Sequence, residues 1–346
     1  MISTDRARWG DIFTDPAVWR NVVAEILDRH DLGPVTNLRA GYPGSHAVFI
    51  VNEALVVKIY APFWEQTAPV ERDLLAVVAG AGIVPVPQVL AEGSYHAAGH
   101  KWPYIVMDFM PGERLGDVWP SLPQQARARV AAQLGAILRR LHSLPHEAES
   151  DESARTQSWL ATLRRDWDGF LERQIAGAVA HHRRRESLPP GLLAHLANYL
   201  AGARPLLLAP APGSETSRPW LGRPQILFLL HGDLTDDHAL LRVDVKDVWS
   251  VSALIDFGDA RLGDPVYDFV AVSVEFMHTD PAALHQFFAA YGWPDAPRDP
   301  AFRRKLTALV LLHEFSDMRR LTDFLGGAEN VRELADYENA VCAPTT

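Results

Sequence analysis

The chain of 346 residues contains a single cysteine, Cys342. That excludes an internal disulfide framework and any multi-cysteine zinc cage, and it fits a reducing compartment. Lysine is scarce as well: Lys58, Lys101, Lys246 and Lys305 stand against 29 arginines. Long apolar runs are missing. The most hydrophobic stretch, residues 192 to 212, is broken by His195, Asn198, Arg204 and prolines, so no segment is predicted to cross or anchor in a membrane. The opening Met1-Ile2-Ser3-Thr4-Asp5-Arg6 lacks a basic start followed by an apolar core, so no secretory leader is expected and the expected location is the cytoplasm. A basic excess is absent from both halves. The formal net charge is −10, and from His231 onward 20 acidic residues face 10 basic ones, which is the whole imbalance. Such a chain is not expected to bind nucleic acid through its backbone. Its acidic C-terminal half suits a cationic small molecule, a metal, or simply a soluble surface.

What is present is enough apolar content, 48 %, for one large core or two modest ones. Residues 35 to 60 alternate β-rich runs with turns: Ala47-Val48-Phe49-Ile50-Val51 and Leu55-Val56-Val57-Lys58-Ile59-Tyr60 flank the predicted meander. Helical periodicity follows from Pro69 to Val78, and a further strand pair ends at Tyr104-Ile105-Val106-Met107. Asp108-Phe109-Met110-Pro111-Gly112 breaks that strand. Beyond it Val130, Leu134, Leu138 and Leu141 recur at helical spacing, and Trp159, Leu163, Trp167 and Phe170 form a second stripe that reads as core. The predicted organisation is a sheet-rich segment 1–107, a hinge 108–112 and a mainly helical segment 113–346.

Chemistry concentrates in His231-Gly232-Asp233-Leu234-Thr235-Asp236-Asp237-His238, directly after an apolar strand. Clustered carboxylates repel one another unless a cation or hydrogen-bond donors compensate, so such a turn signals metal binding, proton transfer or a solvated loop. Asp256 ends a second apolar run and is followed by Phe257-Gly258-Asp259, a strand-end carboxylate suited to a metal.

His231-Gly232-Asp233, His238, Asp256, Gly263-Asp264-Pro265 and Asp268, in that order and spacing, resemble the aminoglycoside phosphotransferase family. These are small-molecule and antibiotic kinases with a protein-kinase-like fold. The resemblance implies an α+β, two-lobed architecture with a small antiparallel-sheet N-terminal lobe and a larger, mainly helical C-terminal lobe. It implies transfer of the γ-phosphoryl group of ATP or GTP to an antibiotic hydroxyl, with Mg²⁺, by a monomer or weak dimer. In phosphoryl transfer a protein mainly positions the reactants and neutralises phosphate charge. Asp233 is then expected to orient or deprotonate the acceptor, and Asp256 to hold the metal. His231, Asp264 and Asp268 are expected to be structural.

His238 departs from the family, which carries Asn there as a second metal ligand. It is assigned as a metal ligand here, with a weakened site, replacement by Asp236 or Asp237, or direct contact with phosphate as alternatives, because Mg²⁺ prefers oxygen. On the nucleotide side, Lys58 inside an apolar strand is costly unless it meets carboxylate and phosphate. Glu71 is the expected partner and Glu65 the runner-up. Gly44 and Ser45, in Gly41-Tyr42-Pro43-Gly44-Ser45, are expected over the phosphates, and Met107, Asp108, Phe109 and Met110 along the purine. Asp236, Asp237, Asp259, Glu275, His278, Glu314 and Asp317 are candidate acceptor contacts. Two other readings fit parts of the pattern. One is a kinase-like nucleotide-binding module without catalysis. The other is an iron(II), 2-oxoglutarate oxygenase built on His231, Asp233 and a distal His278 or His313.

Overall fold

The computed structural model describes residues 9, 12–42, 44–148, 163, 166–209, 218–222, 224, 227–277, 279–314 and 317–342. They divide into two units: one runs to Pro111 and also takes in Ile255–Asp259, and the other holds Gly112–Leu254 and the residues from Ala260 onward.

In the first unit, helix α1 (Pro16–Arg29) is started by Asp15, whose carboxylate accepts from the Ala17 amide at 2.9 Å, with Pro16 preset for the first turn. A five-stranded antiparallel sheet follows, with β1 (Leu38–Ala40), β2 (Ala47–Val51), β3 (Leu55–Ile59), β4 (Val89–Ala97) and β5 (His100–Asp108) in the order β1-β2-β3-β5-β4. Alternation along β3 decides what each face carries. Val57 and Ile59 join Trp19, Val22, Val23 and Ile26 of α1, with Phe49 and Trp102, in one apolar core. Lys58 points the opposite way, toward helix α2 (Thr67–Ala81), which presents Glu71 from its buried stripe of Val70, Leu74, Leu75 and Val78. A lysine survives in a strand that is otherwise core because the covering helix brings the counter-charge.

The second unit contains two small antiparallel sheets. One pairs β6 (Glu113–Arg114), β8 (Ala239–Val243) and β9 (Trp249–Leu254); the other pairs β7 (Phe228–Leu230) with β10 (Arg261–Gly263). Around them lie α3 (Gln124–Ala148), α4 (Trp167–Arg185), α5 (Leu196–Leu208), α6 (Pro281–Tyr291), α7 (Pro300–Leu312), α8 (Met318–Phe324) and α9 (Asp336–Ala340). Val130, Leu134, Leu138 and Leu141 of α3 are buried on one stripe, as their spacing predicts. Trp167 is buried and meets Phe170 at 5.5 Å, while Trp159 lies outside the described residues.

Asp-Pro pairs punctuate this unit. Asp280-Pro281 starts α6 and Asp299-Pro300 starts α7, each aspartate accepting an amide of the first turn at 3.0 Å. Asp264-Pro265 does the same for the 3₁₀ turn Pro265–Asp268. Asp264 also receives the fully buried ammonium of Lys305 at 2.5 Å, and that ammonium donates to the carbonyls of Trp220 and Gly222.

Two glycines give opposite expectations. At Gly135, where α3 crosses α6, a Cβ would lie 2.2 Å from the Phe287 carbonyl oxygen, whereas at exposed Gly177 in α4 it would meet nothing within 4 Å. Gly135→Ala is expected to destabilise the chain by roughly 1–3 kcal/mol through overpacking. Gly177→Ala is expected to stabilise it by up to about 1 kcal/mol through helix propensity. Urea midpoints of the two variants test both signs.

Candidate active site

In the sheet unit, Lys58 is the centre of a buried charge cluster. Its Nζ lies 2.7 Å from Glu71 Oε2 and 2.8 Å from Asp256 Oδ1, and the Tyr60 hydroxyl donates to the same Glu71 oxygen at 2.6 Å. Lys58 and Glu71 are 3 % and 1 % exposed, while the Asp256 side chain keeps a third of its surface open. Burial alone would strip the proton from Lys58, but Asp256 and Glu71 together hold its pKa above the ordinary value. Burial raises Glu71, and repulsion from Asp256 adds to this against the pull of Lys58. Asp256 sits at φ +64°, a left-handed conformation that costs a non-glycine residue roughly 1–2 kcal/mol. The Lys58 bond holds it there, and it aims a half-open carboxylate out of the cluster. Close by, the His46 ring lies 4.6 Å from that of Tyr60; burial first, then Lys58, pushes its pKa down to about 3, so it is neutral.

In the helical unit, β7 ends at Leu230 and the chain turns through His231-Gly232-Asp233. Gly232 has φ +86°, which is why glycine stands there. The turn is held from beneath by Asp268, whose carboxylate accepts the His231 amide at 2.8 Å and the Gly232 amide at 2.9 Å. Asp268 is itself fixed by His142 Nε2 at 3.0 Å, and His142 Nδ1 pairs with the Tyr291 hydroxyl at 2.8 Å. Burial would raise the Asp268 pKa, but the His142 hydrogen bond and the charges around it hold it below the usual carboxylate range. From above, the imidazole of His313 bonds the Gly232 carbonyl and packs 4.8 Å from Tyr267; burial drives its pKa down to about 4. Both peptide groups of Gly232 are therefore clamped by side chains remote in sequence. Asp233 follows, with His238 Nδ1 donating to its backbone carbonyl at 2.6 Å and the His231 and His238 rings stacked at 6.0 Å.

Residues 38–306 match the family model described as the phosphotransferase enzyme family. The chain belongs to this family. Among solved structures, the GDP complex of wild-type aminoglycoside 2'-phosphotransferase-IIIa is 20 % identical with a TM-score of 0.63, over 92 % of this chain and 98 % of that one. Macrolide 2'-phosphotransferase MphH from Brachybacterium faecium, as apoenzyme, is 19 % identical with a TM-score of 0.51, over 94 % and 99 %. Their likeness shows the fold, a kinase-like α+β architecture with an antiparallel-sheet lobe and a mainly helical lobe. A curated relative, lysine-specific demethylase JMJ21 of Arabidopsis thaliana, is 21 % identical over 217 residues, 57 % of this chain. The phosphotransferase chain spans about a fifth of that relative's length, 22 %.

The expected site residues of the phosphotransferase fall into place unevenly. Lys58 and Glu71 meet directly, and Glu65 takes no part in that pair. Asp256, expected with the helical lobe, groups with the sheet unit through Lys58, as does Asp259 in the same 255–259 segment. Ser45 gives its carbonyl to Trp9 Nε1 at 3.0 Å; Gly44 has open space above it, and Pro43 lies outside the described residues. Met107 is buried in β5. The Asp108 amide bonds the Gln88 carbonyl and the Phe109 amide bonds that of Ala54, so these two donors are spent within the sheet unit. His278 lies outside the described residues.

Magnesium, implied by the family, was tested against the donors present. Mg²⁺ in nucleotide sites takes one or two carboxylates and completes its shell with phosphate and water oxygens. Asp256 fits that pattern, and among the described residues no cage of three or more ligating side chains exists. His238 does not fit as a nitrogen ligand through Nδ1, which is engaged with the Asp233 carbonyl and lies 3.2 Å from Thr235 Oγ1. Through Nδ1 the ring staples the turn, a bond that also orients a histidine ligating through its other nitrogen. Of the two distal histidines of the oxygenase reading, His313 is bound to the Gly232 carbonyl, and His278 lies outside the described residues.

Sequence reasoning passed over His142, Tyr60 and Lys305, and considered His313 only as one of two distal histidines of the alternative oxygenase reading. Lys305 follows Arg303-Arg304 and so lacked the apolar flanks that mark Lys58; His142 carried no signal either.

The buried histidines set an acid limit on stability. In the unfolded chain imidazole titrates near 6.5, whereas folded His313 does so at about 4. Between these values the unfolded chain binds more protons, so stability falls as pH drops from 6.5 to 4, by up to about 3 kcal/mol from this group. His313→Asn is expected to flatten that slope in urea midpoints between pH 7 and pH 5. An unchanged slope would show that His313 is not the titrating group.

Proposed function

We propose that this phosphotransferase transfers the γ-phosphoryl group of ATP or GTP to a hydroxyl of a small-molecule antibiotic in the cytoplasm. The observation that carries the reading is the Lys58–Glu71–Asp256 cluster: a buried ammonium between two carboxylates, one of them half open, is costly for folding alone and suits a polyphosphate with a divalent cation. The GDP bound in the aminoglycoside phosphotransferase neighbour supports a purine nucleotide donor, and the aminoglycoside and macrolide names of the neighbours support a hydroxylated antibiotic acceptor.

In this reading Lys58 holds the donor phosphates, with Glu71 fixing the ammonium and Tyr60 fixing Glu71. Asp256 would hold Mg²⁺, which neutralises charge on the phosphates when bound. Asp233 accepts the proton of the acceptor hydroxyl as the new oxygen–phosphorus bond forms, the bond to the β-phosphate breaks and nucleoside diphosphate leaves. The clamp on Gly232 places that carboxylate, and His238 holds its backbone carbonyl.

The test is mass spectrometry of aminoglycosides, nucleoside antibiotics and macrolides incubated with the protein, Mg²⁺ and either ATP or GTP. A gain of one phosphoryl group is expected, with Asp233→Asn slowing it by roughly 10² to 10⁴, the usual worth of a general base. Nucleotide binding with no acceptor modified would favour the non-catalytic module.

A further inference from the structure

Five acceptor candidates among the described residues lie in the helical unit: Asp236, Asp237, Glu275, Glu314 and Asp317. Arginines already occupy three of them. Asp237 receives Arg114 Nη1 at 2.6 Å, and the rest of that guanidinium grips Asp117 at 2.7 and 2.9 Å. Asp317 is held by Arg319 at 2.5 and 2.9 Å. Glu275 is ion-paired with Arg320.

The Glu275 pair is the informative one. Glu275 stands in a π-helical turn, Val272–Phe276, and only 14 % of its side chain is exposed. Repulsion from Asp236 and Asp233 acts on it, so it belongs to the neighbourhood of the transfer carboxylate. Burial raises its pKa to about 7, and Arg320 opposes the rise. Arg320 approaches from α8 with half of its own side chain open, and it also bonds the Glu275 carbonyl at 3.4 Å. Among the described residues no arginine is ion-paired with Asp236, but it feels Arg320 and Arg114, while burial and Asp237 raise its pKa.

A polycationic acceptor needs a carboxylate for each ammonium it buries. A carboxylate already bound to guanidinium offers an ammonium only an exchange of partners, with desolvation of the incoming charge unreturned. We infer that Arg320, by occupying Glu275 beside Asp233, selects acceptors that bring at most one ammonium group to the transfer site, with Asp236 to receive it. Neutral and singly cationic hydroxyl compounds are then favoured over polyamines. The inference rests on the proposed transfer reaction and names the charge class of its acceptor.

Direct binding separates the two claims. Kanamycin, a polyamine, is titrated calorimetrically into wild-type protein, Arg320→Gln and Glu275→Gln at low and high salt, with thermal unfolding confirming that each variant is folded. Arg320→Gln is expected to tighten kanamycin binding by about tenfold, the worth of one released, largely buried carboxylate, and to make it salt-dependent. Glu275→Gln is expected to leave wild-type affinity unchanged. Tight wild-type binding that Glu275→Gln weakens tenfold would overturn the inference, since Glu275 would then already serve an ammonium group; so would an Arg320→Gln variant with no gain. Phosphoryl transfer by Asp233→Asn at the wild-type rate would instead overturn the reaction reading and leave the binding order standing.

Discussion

The conformation of the transfer loop depends on one buried carboxylate. Asp268 accepts two consecutive backbone amides, those of His231 and Gly232, and two amides presented side by side converge on one carboxylate only when the peptide between them turns sharply. Glycine at φ +86° permits the turn, and His142 supplies the counter-donor that makes an ionised carboxylate tolerable at full burial. Remove any of the three and the others lose their reason. The cap at Asp264 belongs to the same construction: by starting the 3₁₀ turn that ends in Asp268, it determines where the carboxylate arrives. The Gly-Asp-Pro motif thus acts on Asp233 at one remove, through backbone geometry.

The sheet unit solves a related problem with a different device. A buried lysine requires its charge to be matched, and Lys58 is matched twice, by Glu71 from a covering helix and by Asp256 from a strand end far along the chain. The two carboxylates are not equivalent. Glu71 is sealed and accepts from Tyr60 as well as Lys58, whereas Asp256 keeps an open side and a strained backbone. Strain of this kind is retained where the surroundings over-determine it, which is common at functional sites.

How much of this could be read from the sequence follows from the range of the interactions. A rare lysine in an apolar run demanded an acid, and the family resemblance, a strand lysine paired with a helix glutamate, pointed to Glu71. His-Gly-Asp and Gly-Asp-Pro-x-x-Asp were legible as motifs, and the direct bond between them joins residues 36 and 37 positions apart. His142 was not legible, because a histidine in an amphipathic helix looks the same whether it faces water or a carboxylate 126 residues away. His238 was legible only in part: its position in the motif suggested metal chemistry, and the structure adds a local bond from its Nδ1 to the Asp233 carbonyl five residues back.

Charge arithmetic misled most instructively. Ten surplus acids after His231 suggest a surface built to attract cations. Yet Asp264, Asp280, Asp299 and Asp317 each cap a helix or helical turn, accepting an amide of its first turn, and a carboxylate there is balanced by the helix's own partial charge. Asp268 answers two further amides, and Asp237 and Glu275 answer arginines. Backbone dipoles never enter a count of Lys, Arg, Asp and Glu, so a chain that starts its helices with aspartate accumulates formal negative charge without a matching field. Part of the acidity of this half therefore reports on how its helices begin. At Asp236, the acids around it are opposed by Arg320 and Arg114.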